Sequence, residues 1–375
     1  PLPFMVSTPW KGQVIAAGGE LKNTFCIGVD NRFYPSPYVG DLEDLRTVKA
    51  LKETIGRLET LLEVQPEVVV CDLHPKYNST VVAEELGLPV LRVQHHYAHI
   101  LSCMAENDCE EKVIGVSFDG TGYGTDGTIW GGELLVADCQ GFTRLGSIEP
   151  FVQVGGDISA KEGWRIAVSL IWQNTGNLEG TLDTVRKLGI CTDQEAKVLV
   201  TMAQRKINAV TSTSAGRLFD GVSAILGIRR ASTFEGEAST ALEFAAEDWR
   251  KQREMQKKNP EENLKIRMSE KEDIPESTGI SEASEDERKF ILNTGEIVAY
   301  LVRARLAGED PGKLADGFHR ALADEILAAC EEAEQETGIR KVALSGGVFQ
   351  NRLLLELVDD GLAEKGFEVL KHSLI

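Results

Sequence analysis

The 375 residues carry 42% apolar and 26% charged side chains, an ordinary globular composition with mass enough for two packed lobes rather than one small module. No run approaches the ~18 consecutive apolar residues that a membrane span needs, so a soluble protein without a membrane partner is expected. Lys and Arg number 40 against 59 Asp and Glu, a net charge of −19; a field of that sign repels polyanions and argues against nucleic acid as the main partner. Seven cysteines, at 26, 71, 103, 109, 139, 191 and 330, never form a CxxC pair, so neither a disulfide framework nor a zinc knuckle is indicated and a reducing cytoplasm is expected. The chain opens on Pro1 with no charged-then-apolar leader, as expected of an excised piece of something longer.

Three short β-like runs come first, residues 14–17, 24–29 and 33–39, separated by Gly18-Gly19 and Asp30-Asn31, and they predict an antiparallel meander. Asp41 is the expected N-cap of a helix in which Leu42, Leu45, Val48, Leu51, Ile55, Leu58 and Leu62 recur at helical steps, the stripe of an amphipathic helix. A buried strand at 68–71, a helix stopped by Gly87, a strand at 90–93 and a helix over 94–106 complete the first third, with Gly serving as the helix stop.

From residue 113 the order begins again: strands at 113–118, 129–137 and 141–148, then much later a strand at 342–344, a helix at 351–365 stopped by Gly366, and a last strand at 367–370. Glu85-Leu86-Gly87-Leu88-Pro89-Val90-Leu91 aligns with Glu364-Lys365-Gly366-Phe367-Glu368-Val369-Leu370, with Glu, Gly, Val and Leu in register, a sign of internal repetition. A βββαβα unit used twice is the pattern of the duplicated actin, hexokinase and Hsp70-like (ASKHA) architecture, an α/β fold of two related lobes. Residues 1–112 are read as the first lobe and 113–375 as the second, with a helical insertion over about 157–338. Within it, residues 247–289 are dense in charge and are expected to be a solvated helical excursion or mobile loop. The first copy continues past its last strand into a helix, whereas the second ends at Ile375, so by internal symmetry a C-terminal helix is expected to be missing.

His95-His96-Tyr97-Ala98-His99 holds three of the six histidines. His95 and His99, four apart on a helix, present their imidazoles on one face, where both reach one metal ion; core histidines are the plainer reading. The second position is not Glu, which excludes the HExxH of a zinc protease. Asp119-Gly120-Thr121-Gly122-Tyr123-Gly124 ends a strand, and its spaced glycines let backbone amides approach an anion while the carboxylate holds a cation, although a simple hairpin turn has the same look. Placed one strand after the histidines, Asp119 is a candidate third metal ligand. Ser345-Gly346-Gly347-Val348-Phe349-Gln350-Asn351 leaves a strand and opens a helix, where a nucleotide's phosphates or sugar meet a helix N-terminus, a small-residue turn being the alternative. Gly155-Gly156-Asp157 precedes a helix with Trp164 and Arg165. In Ser214-Ala215-Gly216-Arg217-Leu218-Phe219-Asp220, Gly216 admits a ligand close to backbone and Asp220 suits a ribose hydroxyl pair, a surface helix start being the alternative.

These motifs, with Gly18-Gly19-Glu20-Leu21-Lys22-Asn23-Thr24, Asp72-Leu73-His74-Pro75-Lys76-Tyr77-Asn78-Ser79-Thr80, Ile129-Trp130-Gly131-Gly132-Glu133 and Phe234-Glu235-Gly236-Glu237-Ala238, resemble the C-terminal carbamoyltransferase domain of the hydrogenase maturation protein HypF. The resemblance runs from about residue 13 to the end, the charged insert aside. It implies an enzyme: a domain that binds carbamoyl-adenylate, made from carbamoyl phosphate and ATP, and transfers the carbamoyl group to the C-terminal cysteine of HypE in NiFe hydrogenase maturation. It also implies acylphosphatase-like, zinc-finger and YrdC-like domains in the same full-length protein, and a divalent metal, Fe or Zn. By position it implies His95, His99 and Asp119 as metal ligands, and Gly120, Thr121, Gly122, Gly156, Gly216, Asp220, Ser345, Gly346, Gly347 and Asn351 as nucleotide contacts. Lys22, in the first meander turn, is assigned to charge that develops on the acyl phosphate, and His74 to positioning substrate or carrying a proton; a surface lysine and a buried structural histidine are the plainer readings.

Two departures stand out. Gly163 occupies the place of the family's Pro in a Lys-Glu-Pro-Trp-Arg string, which is expected to loosen that helix start. The family's further metal-binding Asp, in a Pro-Asn-Asp-Gly-Gly-like loop after the last strand, falls past Ile375, so weak metal binding or none is expected. A small-molecule O-carbamoyltransferase, a relative of the tRNA threonylcarbamoyladenosine transferases and an inert HypE-binding fragment remain as alternatives.

Overall fold

Short apolar runs broken by turn residues set the first sheet. A computed structural model describes residues 4–5, 12–257, 281–282 and 290–373, which divide into two compact units, each with its own core. The first unit comprises Pro1–Glu111, Gly122–Gly127 and His372–Ile375, and the second Lys112–Thr121 and Thr128–Lys371.

In the first unit, β1 (Phe4–Met5), β2 (Gln13–Ala16), β3 (Cys26–Val29) and β4 (Arg32–Pro35) pair antiparallel in the order β1-β4-β3-β2. β5 (Val68–Asp72) and β6 (Val90–Val93) extend the sheet from β2 as parallel neighbours. Asp30 makes the β3–β4 turn at φ 52, a left-handed conformation that Asp tolerates. β4 stops at Pro35, short of the run to 39 expected from sequence; beyond it the Ser36 amide still donates to Phe25 O at 2.7 Å, and the Ser36 hydroxyl donates to Pro37 O at 2.8 Å.

The helix α1 (Leu45–Leu62) buries Leu51, Ile55 and Leu58 against that sheet's core. Its cap is not the expected Asp41. The Asp41 carboxylate accepts from the Lys22 amide at 2.8 Å, and Asp44 caps α1 by accepting from the Arg46 amide at 2.8 Å, so the helix starts later than the leucine stripe suggested. α2 (Asn78–Glu85) follows β5, and α3 (His95–Glu106) follows β6 with Gln94 as its cap.

The second unit repeats the plan. β7 (Val113–Tyr123), β8 (Ile129–Asp138) and β9 (Gly141–Ile148) are followed by an excursion: β10 (Phe151–Val154), α4 (Gly163–Thr175), α5 (Leu178–Leu188), α6 (Asp193–Gln204), β11 (Ala209–Ser212), α7 (Ala215–Ile225) and α8 (Glu237–Lys257). It continues through β12 (Ser281–Glu282), β13 (Phe290–Leu292), α9 (Thr294–Leu306) and α10 (Pro311–Thr337). The chain then closes with β14 (Lys341–Ser345), α11 (Arg352–Glu364) and β15 (Glu368–Leu370).

The sheet order β9-β8-β7-β14-β15 matches β4-β3-β2-β5-β6 of the first unit, and in both the last three neighbours are parallel. The βββαβα repeat is therefore present twice, with the helical excursion inserted into the second copy. Of the charge-dense segment 247–289, residues 247–257 continue α8 and Ser281–Glu282 pairs with β13; the remainder lies outside the described residues. Among the described residues no helix is long and apolar enough to cross a membrane.

Candidate active site

β5 ends in Asp72, and this carboxylate organises the first unit's cluster of functional side chains. Asp72 is 9% exposed; its Oδ1 accepts from the His74 amide at 2.8 Å, and its Oδ2 lies 2.9 Å from His95 Nδ1. Burial opposes ionisation of Asp72, but the hydrogen bond and charge of His95 and the His74 amide outweigh it and hold the carboxyl below its ordinary range. An ionised carboxylate only accepts, so His95 donates through Nδ1, and in the neutral ring Nε2 is the basic nitrogen. One turn along α3, the His99 ring lies 4.8 Å from that of His95, centroid to centroid, at 81°. His96 is fully buried and its Nδ1 lies 3.1 Å from Gln94 Nε2. Gly122 backs this pair: a Cβ there would come within 2.5 Å of His96 Cε1 and 2.9 Å of His95 Cβ.

His74 stacks on Tyr77 at 4.0 Å and meets Tyr123 edge-on at 5.1 Å. The Lys76 amide donates to His74 Nδ1 at 3.2 Å, which puts the ring proton on Nε2. Burial pushes the His74 pKa down, against the pull of Asp72 and Glu20, so near neutrality the side chain is an uncharged donor. Lys22 is exposed, at φ 49, in a turn pinned by Asn23 Nδ2 donating to Ala17 O at 2.9 Å and Gly19 O at 2.7 Å. Glu20 of the same turn accepts from Asn78 Nδ2 at 2.8 Å and the Ser79 amide at 3.2 Å, so it anchors the start of α2.

In the second unit, three glycine-bearing segments meet backbone to backbone. A Cβ on Gly216 would lie 2.9 Å from Gly120 Cα, one on Gly346 would lie 2.2 Å from Phe118 O, and one on Gly347 would lie 2.8 Å from Asp119 Oδ1. The Gly347 amide donates to Asp119 Oδ1 at 3.1 Å. The structure thus brings Asp119, Gly120, Gly216, Gly346 and Gly347 together, with β7 running on through Asp119 to Tyr123 rather than ending there, Thr121 exposed on it, and Ser345 buried in register with Ser117. Gly156, at φ 60, lies in a separate turn beside Asn208.

Two of the expected nucleotide contacts have side chains already engaged. Asp220 is 3% exposed and its Oδ2 accepts from Arg217 Nε at 2.7 Å; burial raises its pKa, with Arg217 opposing. Asn351 caps α11, its Oδ1 accepting from the Leu354 amide at 2.9 Å, while its Nδ2 donates to His319 Nε2 at 2.9 Å. His319 in turn donates through Nδ1 to Ala315 O at 2.8 Å. Glu243 of α8 accepts from the Arg352 amide at 2.8 Å and the Leu353 amide at 3.3 Å, a second anchor for the same helix start. Gly163 opens α4, whose start has no side-chain cap; a Cβ at Gly163 would lie 2.7 Å from Asp220 O, so its bareness allows the helix to pack on α7.

Residues 10–106 match the family described as the HypF Kae1-like domain, and residues 115–375 the one described as the carbamoyltransferase Kae1-like domain, second subdomain. The chain belongs to the HypF carbamoyltransferase family. It is 35% identical over 386 residues to carbamoyltransferase HypF of Synechocystis sp., covering 99% of this chain and 46% of that protein. To a carbamoyltransferase HypF homolog of Cupriavidus necator it is 34% identical over 365 residues, covering 95% of this chain and 86% of that one. A crystal structure of full-length HypF in the phosphate- and nucleotide-bound form superposes with a TM-score of 0.84 at 33% identity, over 100% of this chain and 45% of that one. The chain thus spans just under half the length of full-length HypF proteins, and its fold is the two-lobe α/β HypF fold of the actin, hexokinase and Hsp70-like class.

Sequence reasoning missed Asp72 as the partner of His95, because 23 residues separate them and a strand-end Asp reads as turn chemistry. It also passed over His319 and Glu243, which look like ordinary helical residues and acquire a role only through tertiary contact with the start of α11.

Proposed function

We propose that the chain is a carbamoyltransferase domain that binds carbamoyl-adenylate and passes its carbamoyl group to the C-terminal cysteine of HypE. The observation that carries the reading is the meeting of the glycine-bearing segments at 119–120, 216 and 346–347, in a chain that belongs throughout to the HypF family. Bare backbone at Gly120, Gly216, Gly346 and Gly347 suits the close approach of phosphates and sugar, with Thr121, Gly122, Gly156 and Ser345 as further nucleotide contacts. Asn351 serves by tying the start of α11 to α10 through His319, and Asp220 pairs with Arg217 within α7.

In the transfer, the thiolate attacks the carbamoyl carbon, a C–S bond forms, the C–O bond to phosphate breaks, and AMP leaves. His74 donates from Nε2 to an oxygen of the carbamoyl phosphate group, and Lys22 balances charge that builds there. His95, His99 and Asp119 would hold a divalent Fe or Zn ion. The donor set fits: two imidazoles one helical turn apart, with His95 Nδ1 bonded to Asp72 so that Nε2 is the ligating atom. Such an ion supplies Lewis-acid polarisation of a phosphoryl or carbamoyl oxygen.

Acylphosphatase-like, zinc-finger and YrdC-like domains of a full-length protein would supply the adenylate. All seven cysteines are free thiols, in keeping with a reducing cytoplasm. An acceptor panel tests the reading: the chain is given carbamoyl-adenylate with HypE, a small alcohol or tRNA, and products are identified by mass spectrometry. A thiocarboxamide on HypE is expected; carbamoylation of the alcohol or modification of tRNA alone would replace the reading.

A further inference from the structure

The second unit buries an ion pair that the proposed chemistry does not use. Glu133, on β8, is fully buried, and Arg144, on β9, is nearly so. Arg144 Nε donates to Glu133 Oε2 at 2.7 Å, and the Arg144 guanidinium lies 3.9 Å from the centroid of the Trp130 ring. The other carboxylate oxygen, Oε1, accepts from the Gly131 amide at 3.0 Å, the Gly132 amide at 3.3 Å and the Thr213 hydroxyl at 2.5 Å. Charges taken out of water are costly, and a pair this deep is tolerated only when its hydrogen-bonding capacity is met, as here.

The chain continues from Thr213 into Ser214, whose hydroxyl donates to Gly120 O and accepts from the Arg217 amide at 3.1 Å. Bare backbone brings these segments together: a Cβ on Gly131 would lie 2.8 Å from both Asp119 O and Ser214 Cα, and one on Gly132 would lie 2.9 Å from Thr213 O. Glu133 therefore grips Thr213, and the next residue, Ser214, grips the Asp119-Gly120 stretch of β7.

We infer that Glu133, with Arg144 and Thr213, is a positioning residue that sets the spacing between the Asp119-Gly120-Thr121 stretch of β7 and the Ser214-Ala215-Gly216 helix start, and through that spacing the affinity for the nucleotide. The inference rests on the proposed reading of those two segments as nucleotide contacts. No atom of the network has to touch the ligand. Its effect passes through the Ser214 hydroxyl to the Gly120 carbonyl and through the close packing of Gly131 on Asp119 O and Ser214 Cα.

The test is ATP binding to the 375-residue chain by titration calorimetry, with hydrogen exchange at residues 119–121 and 213–217 as the local readout. Glu133→Gln places an amide donor against Arg144 or Thr213, Thr213→Val removes the hydroxyl while keeping the shape, and Ser214→Ala cuts the link to Gly120. Each is expected to weaken ATP binding by about ten-fold or more, the size of a lost hydrogen bond to a charged or buried group, and to speed exchange in both segments but not in the first unit's core. Glu133→Leu with Arg144→Met controls for stability. An apolar pair of similar volume is expected to restore the unfolding temperature but not the affinity.

Wild-type affinity in that double variant, or in Thr213→Val and Ser214→Ala together with unchanged local exchange, overturns the inference and leaves the nucleotide reading intact. Failure of the wild-type chain itself to bind ATP overturns the nucleotide reading, and the inference with it. Should Glu133→Gln not fold, Thr213→Val and Ser214→Ala carry the test.

Discussion

Asp72 illustrates how a single carboxylate can decide what a neighbouring imidazole does. Its Oδ2 contact with His95 Nδ1 fixes the tautomer and the ring orientation, so Asp72→Asn is expected to lower Zn2+ affinity by about 10- to 100-fold; calorimetric titration of the apo-protein checks this, and unchanged affinity would reduce the contact to packing. Gly346 combines a left-handed backbone with a close backbone approach. At φ 101, with Phe118 O only 2.2 Å from where a Cβ would stand, Gly346→Ala is expected to cost on the order of 3 kcal/mol or more, read as a drop in urea midpoint. At this scale the sequence was informative where a residue type is itself unusual. Three histidines in five residues and paired glycines at strand ends announce themselves. Asp72, Glu133 and His319 do not, because their roles come from partners distant along the chain.

Among elements, the start of α11 is the most heavily braced, by Asn351 from within, Glu243 from α8 and His319 from α10. His319 can accept from Asn351 only while Nε2 is unprotonated. Burial, against the helping bond to Ala315 O and the charge of Asp316, and with Arg250 adding to it, pushes its pKa down to about 4. A histidine held below its unfolded value contributes stability above that value, near pH 6.5, and loses it as pH falls towards 4; the full loss is on the order of 3 kcal/mol. Urea unfolding at pH 7.5 and pH 5 should therefore show a larger acid loss in the wild type than in His319→Gln, and parallel losses would contradict the assignment.

Element identities were largely readable from periodicity, as the leucine stripe of α1 and the two meanders show. Boundaries were less so: Asp41 looked like the cap, but Lys22 had claimed its carboxylate, and Pro35 ended β4 where an apolar run went on. At the α4 start, Gly163 lets the helix approach α7, where a Cβ would lie 2.7 Å from Asp220 O.

For the whole molecule, duplication was legible because both copies keep the same strand order and even share Glu, Gly, Val and Leu around one strand. What was not legible is how the long insertion serves the repeat. Its helices α7, α8 and α10 supply Ser214 as a cap, Glu243 and His319, which brace the very turns that the repeat alone leaves bare. The net charge of −19 fits a nucleotide and a protein acceptor better than a polyanion. The central claim is carbamoyl transfer to a cysteine through the His95, His99 and Asp119 set. It is tested by following the mass gain of one carbamoyl group on the HypE C-terminal cysteine, with carbamoyl-adenylate supplied to the wild-type chain, to His95→Ala and to Asp119→Ala. The account predicts transfer by the wild type and a fall of about 100-fold or more in each variant; equal transfer by all three would contradict it.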